Sequence, residues 1–175
     1  NGQRTAKRIE FASHNPPQWN GFKYKPEYAG SASPEVIAEI EARIPLALER
    51  GAHRLPLAQG KAEGIIEVFD PAPAYLEHLG DLVDLGALRE AGLMVVADAM
   101  FGAGMGYFPT LLEGGKTRVK EIHAEPNPLF PGMREPEPIP PNIDQLCRVV
   151  IEAGAQAGLA TDVDADRIGL VDERG

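Results

Sequence analysis

Residues 93–109, LMVVADAMFGAGMGYFP, carry the reading that decides the fold. Leu93 to Ala97 is a short unbroken apolar run, the pattern of a strand buried on both faces. It leads to a turn with glycine at 102, 104 and 106, after which Tyr107 to Leu112 reads as a short helix. The alternation continues in both directions. Upstream, Pro71 and Pro73 punctuate the chain, and Tyr75, Leu76, Leu79, Leu82 and Val83 form the apolar face of a helix. Downstream, Thr117 to Ile122 reads as a strand, and Ile143 to Ala153 as a helix with Asn142 as its cap. Leu159 to Thr161 and Ile168 to Val171 read as short strands flanking an acidic loop. Strands alternating with helices over residues 70–175 predict a three-layer α/β/α domain built on a mixed sheet.

Residues 1–69 read as a partial α/β domain. Arg8 to Phe11 is a strand candidate that runs into Ala12-Ser13-His14-Asn15-Pro16-Pro17. The two prolines forbid continued sheet or helix, so Ser13 and His14 are expected in a loop at a strand end. Ser33-Pro34-Glu35 is a helix start signal, and Val36, Ile37, Ile40 and Ile44 give that helix an apolar face until Pro45 is expected to interrupt it. Residues 125–142 contain seven prolines. Such a stretch can serve as a polyproline ligand, but Leu129, Phe130 and Met133 would anchor it as an extended loop wrapping its own domain.

With 175 residues, 43% of them hydrophobic and 25% charged, the chain can bury one good core or two small ones. No apolar run reaches the length of a bilayer span. A single cysteine, Cys147, excludes an internal disulfide framework and points to a reducing cytoplasm, with the thiol buried and inert. The net charge of -9 argues against nucleic acid and anionic membranes as partners, yet leaves a small phosphorylated ligand open. The chain starts at Asn1 rather than methionine and ends at Gly175 just after a strand, so it is expected to be a piece of a longer protein.

The acidic loop is TDVDADR, residues 161–167. Asp162, Asp164 and Asp166 gather three carboxylates that repel one another, and a hard divalent cation, Mg²⁺ or Ca²⁺, would remove that cost. A solvated acidic turn is the plainer reading. An EF-hand match at Asp162, Asp164, Asp166 and Glu173 fails at the sixth position, where Arg167 replaces the required glycine. The glycines at 102, 104 and 106 lack the spacing of a dinucleotide fingerprint and read as a tight strand-to-helix connection. Ser13 alone reads as a capped turn. A hydrolase would need a histidine delivered from elsewhere, and His53, His78 and His123 lie in no recognisable catalytic context.

The two loops together are more specific. ASHNPPQWNGFK (12–23), followed by DVDADR (162–167), resembles the α-D-phosphohexomutases, the phosphoglucomutase and phosphomannomutase superfamily. Its phosphoserine loop reads close to TASHNP…NGxK and its metal loop DGDADR or DGDGDR. VVADAMFGAGMGYFP (95–109) and PNPLFPGMREPEP (126–138) also look like its second domain. The resemblance implies that residues 1–69 are the later part of domain 1 and 70–175 are domain 2. It implies a segment of a Mg²⁺-dependent mutase interconverting hexose 1-phosphate and hexose 6-phosphate through a bisphosphorylated sugar. Ser13 would be phosphorylated as the phosphoryl carrier. One Mg²⁺ would be held by Asp162, Asp164, Asp166 and an oxygen of phosphorylated Ser13. His14, Lys23 and Arg167 would contact the phosphoserine or assist proton movement. Phosphoglucosamine mutase and a non-catalytic metal-binding domain, either a degenerate paralogue or a calcium module, are the alternatives. Two departures stand out. Val163 replaces a glycine whose backbone angle a β-branched residue would tolerate poorly if φ is positive, and Phe11 replaces a threonine. Lacking the sugar-binding domains, the chain is expected to be inactive alone, and an incomplete first domain would leave an open sheet edge and exposed apolar surface through which it is expected to self-associate.

Overall fold

The computed structural model describes residues 8–11, 21–28, 30–51 and 54–175. Residues 8–11 and 22–73 form one compact unit and residues 74–175 another. In the first unit, β1 (Arg8–Phe11) pairs antiparallel with β2 (Phe22–Lys25), placing Glu10 opposite Lys23. The second strand was not anticipated, because FKYK alternates over only four residues. Helix α1 (Pro34–Arg50) starts as expected, with Ser33 Oγ accepting from the Val36 amide at 3.5 Å and proline in the first turn. It does not stop at Pro45. A proline removes one amide donor, and on a helix with no buried residue water can serve the freed carbonyl. A short helix, α2 (Leu57–Ala62), follows.

In the second unit, α3 (Ala72–Leu82) and α4 (Leu85–Glu90) precede β3 (Met94–Asp98), α5 (Tyr107–Leu112), β4 (Arg118–Ile122), α6 (Asp144–Ala153), β5 (Ala157–Thr161) and β6 (Ile168–Asp172). The sheet runs β4-β3-β5-β6, parallel except for β6, which returns antiparallel to β5. The six-residue connection from β5 to β6 is too short for a parallel crossover, so the acidic loop itself makes the sheet mixed. One face carries Val96, Ala160 and Val171 against Leu146 and Val150 of α6. Gly158 lets the helix approach, since a Cβ there would lie 2.7 Å from Val150 Cγ2. The opposite face, with Val95 and Leu159, looks across an apolar gap of about 380 Å³ to Leu79 and Val83, Leu88 of α4 and Phe108 of α5. These are the three layers expected from the sequence.

Local chemistry fixes the connections. The unanticipated helix α4 begins at Asp84, whose carboxylate accepts from the Ala87 amide at 2.9 Å. Buried Thr117 donates to the Leu88 carbonyl at 2.6 Å and accepts from the Leu93 amide at 3.2 Å, tying α4 to the start of β3. Asn142 does not cap α6. Its Oδ1 accepts from the Arg134 amide and its Nδ2 donates to the Glu137 carbonyl, so the side chain is spent on the proline-rich loop. That loop does wrap its own domain, with Pro136 buried and Met133 against the core, although Leu129 is 74% exposed and anchors nothing. Cys147 packs half-buried beside the same core.

Leu146 is fully buried at the centre of this packing. Leu146→Ala is expected to lower the unfolding free energy by about 2–5 kcal/mol in urea titration, through lost transfer energy and the cavity left behind.

Candidate metal centre

The acidic loop leaves β5 at Thr161 and enters β6 at Ile168. Asp162 is fully buried while Asp164 and Asp166 are exposed, and the three can offer oxygens within 4.8 Å of one another. Asp162 folds the loop around itself. Its Oδ1 accepts from the amides of Asp166 at 3.0 Å and Arg167 at 3.1 Å, and its carbonyl accepts from the Ala165 amide at 3.1 Å. Its Oδ2 is buried with no hydrogen-bond partner. The positive φ of the loop falls at Ala165 (59°), the position where the family motif admits alanine or glycine. Val163 is not among the residues with positive φ, so the expected conflict between its β-branched side chain and the backbone does not arise.

Burial raises the Asp162 carboxyl above the ordinary carboxylate range, and the neighbouring Asp164 charge pushes the same way against the opposing Arg167 amide. A buried carboxylate oxygen without a donor, beside two exposed carboxylates that with Asp162 can offer oxygens within 4.8 Å of one another, fits a hard divalent cation. Arg167 Nη1 pairs with Glu137 Oε1 of the proline-rich loop at 2.5 Å, and its Nε lies 3.8 Å from Asp166 Oδ1. The loop exits into a strand, and Glu173 lies beyond the far end of β6, which removes the EF-hand geometry.

The glycine turn after β3 seats this loop. A Cβ on Gly102 would fall 2.3 Å from the Val163 carbonyl oxygen, and the Ala103 amide donates to that oxygen at 2.7 Å. A Cβ on Gly104 would lie 2.6 Å from Thr161 Oγ1, a buried oxygen that also has no partner. The turn is therefore more than a tight connection. Beside it, buried Asp98 at the end of β3 accepts through Oδ1 from the Met100 amide at 2.9 Å and faces His123 Nδ1 at 2.8 Å. Sequence reasoning set His123 aside. The available signal was its place, with Asp98, at the carboxyl ends of adjacent parallel strands, where α/β folds gather functional groups.

Ser13 and His14 lie outside the described residues. Lys23 is exposed on β2 in the first unit. The second unit thus brings together Asp162, Asp164, Asp166 and Arg167.

Gly102→Val is expected to cost about 1–3 kcal/mol by overpacking and to weaken divalent-cation binding about 10–100-fold in calorimetric titration. The hydrogen bond to Asp98 raises the His123 pKa above its usual 6.5, with burial opposing. That contribution to stability is complete below pH 6.5 and fades as pH rises through the higher folded value. Thermal melts across this window are expected to show the decline, and His123→Asn to flatten it.

Comparison with known proteins bears on the fold and the family of the chain. Residues 73–175 match the family model for phosphoglucomutase/phosphomannomutase, alpha/beta/alpha domain II, and residues 10–49 match that for domain I. The probable phosphoglucosamine mutase of Methanopyrus kandleri is 35% identical over 164 residues, covering 94% of this chain and 34% of the relative. A phosphoglucomutase/phosphomannomutase of Thermococcus kodakarensis is 34% identical with the same coverage. The crystal structure of a candidate phosphomannomutase from Thermus thermophilus superposes with a TM-score of 0.76 at 36% identity, over 97% of this chain and 37% of that one. The chain spans about a third of the length of the curated relatives it matches. It belongs to the phosphoglucomutase/phosphomannomutase family.

Proposed function

We propose that this chain is a segment of a magnesium-dependent phosphohexose mutase in which Ser13 carries the phosphoryl group. The observation that supports this most is the loop built around Asp162: a buried carboxylate with one oxygen pinned by two amides and the other without a donor, beside Asp164 and Asp166. These three residues would hold Mg²⁺, which when bound offsets negative charge on phosphoryl oxygens. Residues 1–69 are proposed as the later part of the first family domain and 70–175 as the second.

The chain's own residues have distinct proposed tasks. Asp162 sets the loop, and Asp164 and Asp166 complete the oxygen donors. Arg167 adds a positive group beside the last carboxylate, while Glu137 holds its guanidinium in place. His14 and Lys23 contact the phosphoserine or move a proton, as the motif around Ser13 suggests. In the cycle, the free 6-hydroxyl of a hexose 1-phosphate bonds to phosphorus and gives its proton to a base as the bond from phosphorus to Ser13 Oγ breaks, and the departing Oγ takes up a proton. The bisphosphorylated sugar turns round. Ser13 Oγ then gives up its proton and bonds to the phosphorus of the 1-phosphate as the bond from phosphorus to the sugar O1 breaks and O1 is protonated, leaving hexose 6-phosphate and a phosphorylated serine.

The substrate class is a phosphosugar, with glucosamine phosphates included because relatives carry both names. No described helix is long and apolar enough to cross a membrane; a cytoplasmic setting is part of the proposal.

Incubation of the full-length protein with a hexose 1,6-bisphosphate and Mg²⁺, followed by intact-mass and peptide analysis, is expected to place one phosphate on Ser13. Asp164→Asn should abolish that labelling and weaken Mg²⁺ binding at least tenfold. A serine that stays unmodified in the full-length protein, together with unimpaired turnover by its Ser13→Ala variant, would overturn the assignment.

A further inference from the structure

We infer that His123 is a positioning residue for the acidic loop, acting through the turn 98–103 without touching a ligand. The inference rests on the reading that the three aspartates hold a divalent cation. Met100 (φ 45°) and Phe101 (φ 58°) are consecutive side-chain-bearing residues in the left-handed region. That conformation is unfavourable for both and persists only where the surroundings over-determine it.

The surroundings converge on His123. Asp98 Oδ1 receives the Met100 amide and His123 Nδ1 on the same oxygen, at 2.9 and 2.8 Å. The Phe101 amide donates to the His123 carbonyl at 2.8 Å, and the Phe101 ring lies 4.7 Å from the imidazole at a 39° tilt. His123 itself has φ 48°, and its Nε2 faces Gln145 Oε1 of α6 at 3.2 Å. One side chain therefore links the ends of β3 and β4 to the first turn of α6.

The other end of the turn touches the acidic loop. Gly102 presses against the Val163 backbone and the Ala103 amide bonds the Val163 carbonyl, one residue from Asp162. If Met100 and Phe101 relaxed to negative φ, Gly102 and Ala103 would move and the loop would lose its seat. A histidine that merely fills space would instead affect the whole domain evenly. A neutral imidazole still donates from Nδ1, so the role does not require protonation.

Two replacements separate these cases. His123→Gly keeps the positive φ and removes the donor, whereas His123→Asn tolerates that φ and returns an N–H near the Nδ1 position. In the 175-residue chain, Mn²⁺ affinity by calorimetry is expected to fall about tenfold for His123→Gly and to recover to within about twofold for His123→Asn. In the metal-free chain, hydrogen exchange should accelerate at the amides of Ala103, Ala165, Asp166 and Arg167 in His123→Gly, with α6 beyond its first turn unchanged. Unaltered exchange and affinity in His123→Gly, or equal loss of protection in the loop and α6, would overturn the inference. A parent chain that binds no Mn²⁺ would count against the metal reading alone, and the exchange data would still decide the role of His123.

Discussion

The carbonyl oxygen of Val163 occupies the space that a side chain on residue 102 would need, and the site depends on that close approach. β3 and β5 are adjacent parallel strands, so the segments that follow them emerge at the same edge of the sheet and compete for room. Glycine at 102 resolves the competition, and the Ala103 amide converts the contact into a hydrogen bond. With Val163 held, Asp162 sits beneath the loop with its Oδ1 aligned to the amides of 166 and 167. The loop then has only enough length to turn back, which makes β6 antiparallel.

The cost of this arrangement is electrostatic. Two unit charges at the outer separation of 4.8 Å repel by about 3 kcal/mol at an effective dielectric constant of about 20. Two amide hydrogen bonds at Oδ1 compensate only part of that, and Oδ2 has no donor. Arg167 is the nearest cation on the loop, yet its strongest contact is with Glu137, outside the triad. A cation supplied from solution is the simplest agent that balances the remaining charge, and the hard oxygen donors suit Mg²⁺.

Glu137 also gives the proline-rich segment a purpose. The Asn142 side chain closes that loop on itself, Pro136 buries it, and Pro138 lies against Gly169 at the start of β6. A rigid, packed loop can hold an arginine with less ordering cost than a mobile one. The loop that the composition marked as irregular is thus part of the frame around the acidic centre.

Strands β3 to β6 and helices α3, α5 and α6 were legible because their apolar residues recur at strand or helix spacing, and the three aspartates because like charges so closely spaced need a counterion. The short elements β2 and α4 carry too few residues for a period to stand out. Helix α1 ran past Pro45 because its exposure lets water serve the freed carbonyl, and Asn142 left its expected cap because the proline-rich loop that ends at it used both ends of its amide. By itself, the sequence determined the layered α/β class, the family motifs and the identity of the acidic triad, all of which are properties of local spacing. Tertiary structure alone decided that Gly102 seats the loop and that Asp98 meets His123. Each of those depends on neighbours brought together by strand pairing between segments far apart in the chain, and no local pattern records such a meeting.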